Sequence, residues 1–180
     1  MRKRSMTELN RMTNEEFRAS EKIPVVVVLD NIRSQHNIGS VFRTADAFRL
    51  EGIYLCGITA IPPHREIHKT ALGATESVDW KYFDSTADAV KQMADDGYQI
   101  IAIEQAEGSV NLHDFKPEED QKIALVFGNE VHGIDEEVLR LADQCIEIPQ
   151  FGTKHSLNIS VAVGIVIWDI FIKQKRFPLE

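Results

Sequence analysis

Apolar residues fall along this chain in short continuous runs, separated by stretches whose apolar positions recur at helical spacing. Residues 23–29 are a β-branched run, Ile-Pro-Val-Val-Val-Val-Leu, of the kind a strand shows when both its faces are buried. Similar runs at 52–58, 80–83, 98–103, 123–127 and 145–148 predict five further strands. Between them, residues 37–48 place Ile38, Val41, Phe42, Ala45 and Phe48 on one helical face. Shorter helices are predicted near 66–72, over 86–95 (stopped by Gly97) and over 135–142, which has acidic residues in its first turn. Residues 157–176 predict a long, mostly apolar helix, and residues 104–115 a loop. Residues 1–22 are polar with weak helical spacing and read as a basic arm or helix ahead of one domain at 23–180. Strands alternating with helices predict an α/β fold, a mostly parallel sheet flanked by helices. Ligands bind such sheets beyond the carboxyl ends of the strands, which puts the loops at 30–37, 104–109, 128–133 and 149–155 on one rim.

Composition narrows the function classes. The chain has 180 residues, 43% of them hydrophobic and 27% charged, as expected of a soluble globular protein. The most apolar stretch, 159–172, is interrupted by Asp169 and is too short to span a bilayer. No apolar segment follows Met1-Arg2-Lys3-Arg4, so no secretory signal is expected. Cys56 and Cys145 lie in apolar segments and read as buried thiols of a reducing cytoplasm. The net charge of -8 argues mildly against nucleic acid, yet Arg2, Lys3, Arg4, Arg11 and Arg18 concentrate at one end. His64, Glu66 and His68 lack the zinc-protease order, and no metal is expected. A nicotinamide or flavin enzyme is disfavoured because no glycine-rich fingerprint follows the first strand.

Three segments on the predicted rim carry the unusual chemistry. In Asn37-Ile-Gly-Ser-Val-Phe-Arg43, Asn37 is suited to cap a helix, Gly39 to admit another backbone, and Arg43 to face away from the apolar stripe. In Phe127-Gly128-Asn129-Glu130-Val-His-Gly133, a strand ends in a turn that presents a carboxylate. Gly128 there would let a ligand lie against the backbone. In the third segment, 148–162, a polar loop enters the long helix, with Ser156 as the expected N-cap and Asn158 in the first turn. Ser156, Asn158 and Ser160 are more polarity than a cap requires, and helix N-terminal amides favour anions.

Together these segments resemble the three motifs of the SpoU, or TrmH, branch of the SPOUT RNA methyltransferases: Asn-x-Gly-x-x-x-Arg, Gly-x-Glu-x-x-Gly and Ile-Pro…Ser-Leu-Asn-x-Ser-x-Ala. The resemblance spans residues 23–172 and departs from the commonest pattern at Gln150 and Asp135. It implies a C-terminal deep trefoil knot and S-adenosylmethionine held by backbone groups near Ile103, Gly128, Ile148 and Leu157. It implies a homodimer in which Arg43 serves the partner's cofactor, supported by Asn37, Glu130, Ser156 and Asn158. The implied reaction is methyl transfer to a ribose 2′-hydroxyl of RNA. Because arginine has a pKa above about 12, Arg43 either has that value depressed in a pocket or positions an RNA phosphate that takes the proton. The short extensions favour tRNA over ribosomal RNA as the substrate. A catalytically silent RNA-binding module on the same fold is the competing class. Arg2, Lys3, Arg4, Arg11 and Arg18, with Lys173, Lys175 and Arg176, are the expected phosphate contacts.

Overall fold

The computed structural model describes residues 1–5 and 7–174. A 3₁₀ turn (Thr7–Leu9) and α1 (Asn14–Ala19) precede β1 (Ile23–Asp30), α2 (Gln35–Ala47) and β2 (Leu50–Cys56). There follow α3 (Arg65–Ala71), α4 (Ala74–Ser77), β3 (Trp80–Phe83), α5 (Thr86–Asp95), β4 (Gln99–Ile103) and β5 (Val110–Asn111). A 3₁₀ turn (Leu112–Asp114), β6 (Ile123–Phe127), α6 (Glu136–Leu141), β7 (Gln144–Glu147) and α7 (Ile159–Gln174) complete the chain. The strands form one sheet in the order β3-β2-β1-β6-β4-β7-β5, and every pairing is parallel.

The continuous apolar run of β1 follows from this burial on both sides. Val25, Val27 and Leu29 point to the face covered by α2, α3 and α7. Val26 and Val28 point to the face covered by α5 and α6. Phe17 of α1 is also in the first core, so part of the N-terminal segment packs with the domain. Cys56 is buried, and that burial pushes its thiol up to about 12; a hydrogen bond with Thr86 opposes the rise and the charge of Asp30 adds to it. Cys145 is half-buried, with its thiol donating to the Glu104 carbonyl at 3.4 Å. No helix among the described residues is long and apolar enough to cross a membrane.

Several boundaries move from those expected. Asp30, read as loop, is the last residue of β1 and is 1% exposed. Its carboxylate accepts from Thr86 Oγ1 at 2.5 Å, Asn31 Nδ2 at 2.9 Å and the Asp135 amide at 3.1 Å. One buried carboxylate thereby ties β1 to the starts of α5 and α6. The expected loop at 104–115 contains the edge strand β5 and a 3₁₀ turn, each too short to show periodicity. The cap of α2 is Ser34, whose side chain accepts from the Asn37 amide, and not Asn37. The long helix begins at Ile159, two residues later than expected, and positions 175 and 176 lie outside the described residues.

Gly39 performs its expected role. A Cβ there would overlap Thr70 Oγ1 and the Ile67 carbonyl, so only glycine lets α3 lie directly on α2. Gly39→Ala is expected to cost about 1–3 kcal/mol of stability through overpacking, measured by urea denaturation. An unchanged midpoint would mean that the two helices are not held this close.

Candidate active site

The carboxyl ends of β4, β6 and β7 and the start of α7 enclose a cavity of about 590 Å³, within the usual range for a small-molecule site. Ile103, Gly128, Ile148 and Leu157, the four expected cofactor-contacting positions, all line it. So do Glu130, Ser156 and Asn158 of the expected catalytic set. Asn37 and Arg43 are not in its wall.

The wall is built from the turn after β6. The Asn129 and Gly133 backbones exchange a pair of 2.9 Å hydrogen bonds. A Cβ on Gly128 would overlap the Gly133 and Ile134 backbone, so this glycine first serves the turn itself rather than a ligand. Asn129 Oδ1 accepts from the Val131 and His132 amides, and its Nδ2 donates to the Asn31 carbonyl at 2.6 Å. Glu130 then reaches the start of α2. It accepts from the Arg33 amide at 3.1 Å, the Ser34 amide at 3.2 Å and Asn37 Nδ2 at 3.5 Å. Partial burial opposes its charge. The amides of Glu130 itself, Arg33 and Ser34, with the Asn37 carboxamide, outweigh that penalty and hold the carboxyl below its ordinary value.

The third segment joins the same network. Asn158 Nδ2 donates to Asn37 Oδ1 at 3.1 Å. Asn158 Oδ1 accepts from the Ser160 amide at 2.9 Å and Ser160 Oγ at 2.6 Å, and its carbonyl accepts from the Val161 and Ala162 amides. The residue at the head of α7 is therefore Asn158, and Ser156, the expected cap, sits exposed in the preceding loop facing the cavity. Asn37, Glu130 and Asn158, far apart in sequence, meet through direct hydrogen bonds.

Glu104, Gln105 and His155 were given no role from the sequence, and Asn129 only a place beside Glu130 in its motif. Glu104 accepts from the Ile134 amide at 3.2 Å and the Gln105 amide at 2.9 Å, bracing the turn from the far side of the cavity. Gln105 Nε2 donates to the His155 carbonyl at 2.8 Å. The available signal was an acid directly at the end of a predicted buried strand. Glu104, Glu130 and Glu147 line the cavity, and no Lys or Arg does among the described residues. Such a wall suits a ligand carrying positive charge beside an apolar portion set against Ile103, Ile148, Leu157 and Ala162.

Arg43 lies on the outer face of α2, exposed, with no hydrogen bond or ion pair among the described residues. It borders a separate groove of about 460 Å³ with Ser40, Thr44, Ala47, Phe48, Lys69 and Thr70. Among the N-terminal cations, Arg2 pairs with Glu8 at 2.5 Å and Arg18 donates to the Glu76 carbonyl. Lys3, Arg4 and Arg11 are exposed. Lys173 is engaged by Asp169 at 2.6 Å and by the Leu112 carbonyl at 2.7 Å, and Lys175 and Arg176 lie outside the described residues.

Known proteins resemble this chain in sequence and fold. A Staphylococcus saprophyticus protein assigned to the TrmH family of tRNA/rRNA methyltransferases is 29% identical over 157 residues, covering 87% of this chain and 62% of its own length. The chain thus spans less than two thirds of that relative. The S-adenosylmethionine-bound rRNA methyltransferase of Sinorhizobium meliloti superposes with a TM-score of 0.77 at 31% identity, over 83% of this chain and 56% of that one. A chain whose structure was solved to account for 2-OH methylation of C/U34 on tRNA superposes at 0.72 with 27% identity, over 83% of this chain and 95% of that one. The model of the SpoU rRNA methylase family matches residues 24–168, and the chain belongs to that family.

Proposed function

We propose that this protein transfers a methyl group from S-adenosylmethionine to a ribose 2′-hydroxyl of RNA, with tRNA as the favoured substrate. The observation that carries the reading is the Asn37–Glu130–Asn158 network, which joins all three motifs at the mouth of one carboxylate-walled cavity. The cofactor fits that cavity by chemistry: its sulfonium is a cation, and its adenosine offers an apolar face. When bound it supplies a methyl group already activated for transfer. Backbone groups near Ile103, Gly128, Ile148 and Leu157 would hold it. The tRNA preference is supported by the relative nearly equal in extent to this chain, of which 95% is covered. The Sinorhizobium meliloti rRNA methyltransferase keeps ribosomal RNA as the second substrate class.

The chain's own residues then have separable tasks. Glu130 fixes the first turn of α2, and Asn158 fixes Asn37 and the first turn of α7. Ser156 faces the cavity, free to orient the ribose. Arg43 stands outside its own subunit's cavity, and its guanidinium has no hydrogen bond or ion pair among the described residues, which supports a role in the partner's site. There it would orient the ribose-phosphate so that the proton leaving the 2′-hydroxyl passes to a phosphate oxygen; alignment of the attacking oxygen supplies much of the rate. The homodimer this requires is supported by an exposed apolar stripe on α7 of Val161, Ile165, Trp168 and Ile172, spaced to share one face. Trp168 stacks on Phe171, and both rings pack on Phe48, which directly follows α2, so this stripe adjoins the helix that carries Arg43. The family's C-terminal knot belongs to the same reading.

Arg43→Ala is expected to lower methyl transfer by at least about 10²-fold while calorimetry shows unchanged S-adenosylmethionine binding; near-normal turnover would remove Arg43 from the mechanism. Ile165→Asp is expected to give a monomer by light scattering, with transfer lost and cofactor still bound. A dimer of wild-type mass would place the interface elsewhere. Glu130, with its folded pKa lowered, contributes stability that is complete above the ordinary carboxylate value near 4 and is lost as pH falls through the folded value. Glu130→Gln should therefore melt at a lower temperature than the parent at pH 7, and the two should converge in acid. Parallel melting curves at all pH values would contradict this.

A further inference from the structure

Resting on the RNA methyltransferase reading, we propose that the outer face of α2 and α3 is the surface that receives the phosphate backbone of the RNA, with Arg65 and Lys69 as its principal contacts beside Arg43. Charge is the first reason. The chain as a whole is strongly acidic, with 28 Asp and Glu against 20 Lys and Arg, so a polyanion needs a local exception to approach it. The cavity that would hold the cofactor is no such exception, since its wall carries carboxylates and no Lys or Arg among the described residues.

The α2–α3 face differs. Gly39 lets α3 lie on α2, and the Thr70 hydroxyl seals the crossing by donating to the His36 carbonyl at 3.0 Å. That crossing brings Lys69 of α3 against Ser40, Arg43 and Thr44 of α2, forming the groove beside Arg43, and no Asp or Glu lines it among the described residues. His36, His64, Arg65 and His68 are exposed on the same pair of helices or at their starts. Arg33, just before α2, is exposed as well. Two acids lie near this face and keep their charge: Asp46, which accepts from Ser77 Oγ at 2.5 Å, and Glu76, which accepts from Asn14 at 3.3 Å; neither borders the groove beside Arg43.

Glu66 is the exception on the face itself. It accepts from Lys69 Nζ at 2.7 and 2.9 Å, contacts His36 Nε2 at 2.8 Å and lies 3.9 Å from Arg65 Nε. One carboxylate shared among three basic side chains leaves the cluster cationic and holds Lys69 at the groove. Arg65 is 85% exposed at its side chain and Lys69 51%, so both can reach phosphate oxygens without rearranging the core. A strand lying along this face would run past Arg43, the residue expected to act on the target ribose. The surface and the reaction would thus share one track.

The test measures binding of a fluorescently labelled bulk tRNA pool to the full chain across a salt series, with S-adenosylmethionine binding followed by calorimetry. For the double variant Arg65→Ala/Lys69→Ala, the slope of log affinity against log salt should fall by about 0.7–0.9 for each phosphate that is no longer neutralised, and cofactor affinity should stay at the parent value. Glu66→Gln should shift RNA binding in the opposite direction, toward tighter association. Lys91→Ala, which removes a cation on the far side of the sheet (3.5 Å from Glu137), should leave the slope unchanged. A double variant with parental affinity and slope overturns the surface while leaving the methyltransferase reading intact. An equal weakening from Lys91→Ala overturns it too, since net charge alone would then explain the effect. A parent chain that binds the cofactor but no RNA overturns both.

Discussion

All strand pairings in this protein are parallel, and that constraint governs the rest of the structure. A parallel pair cannot be closed by a tight hairpin, so each connection must cross a face of the sheet before the next strand begins. Both faces are consequently covered, the strands become apolar on both sides, and all carboxyl ends open on one rim. Polar side chains that would be costly in the interior collect there. Asp30 shows how closely the two zones adjoin: it is buried with no cationic partner among the described residues, and it is sustained by donors from Thr86, Asn31 and the Asp135 amide.

On that rim Glu130 organises the functional elements. Amides at the start of a helix have no intrahelical acceptor, and a carboxylate is a favourable partner for them. The turn after β6 delivers such a carboxylate to the start of α2. Because Asn37 sits in the first turn of that helix, the bond that anchors the helix also orients the side chain that meets Asn158. The three motifs therefore form one mechanical unit, in which Asn37 bonds to side chains 93 and 121 residues further along the chain.

The charge distribution separates two binding tasks. Carboxylates around the cavity favour a cationic small molecule, while the outward side of α2 and α3 gathers Arg43, Arg65 and Lys69. A protein of net charge -8 can thereby present opposite potentials to two ligands within one neighbourhood.

The sequence by itself determined most of the element types, the α/β class and many of the residues that gather near the cavity, because continuous β-branched runs, helical spacing and local motifs are written in neighbouring positions. Strands β3 and β6 and helix α5 fall where periodicity put them. It placed two helix caps wrongly, at Asn37 and Ser156, because several adjacent side chains were chemically able to cap and only the chain's path selects Ser34 and Asn158. It also passed over Glu104 and read Asp30 as loop, since nothing local announces that a carboxylate will find backbone donors from elsewhere in the chain. Tertiary structure alone decided the strand order, the meeting of Asn37 with Glu130 and Asn158, and the exclusion of Arg43 from its own cavity wall. Each of these depends on contacts across long sequence separations, which no periodicity encodes.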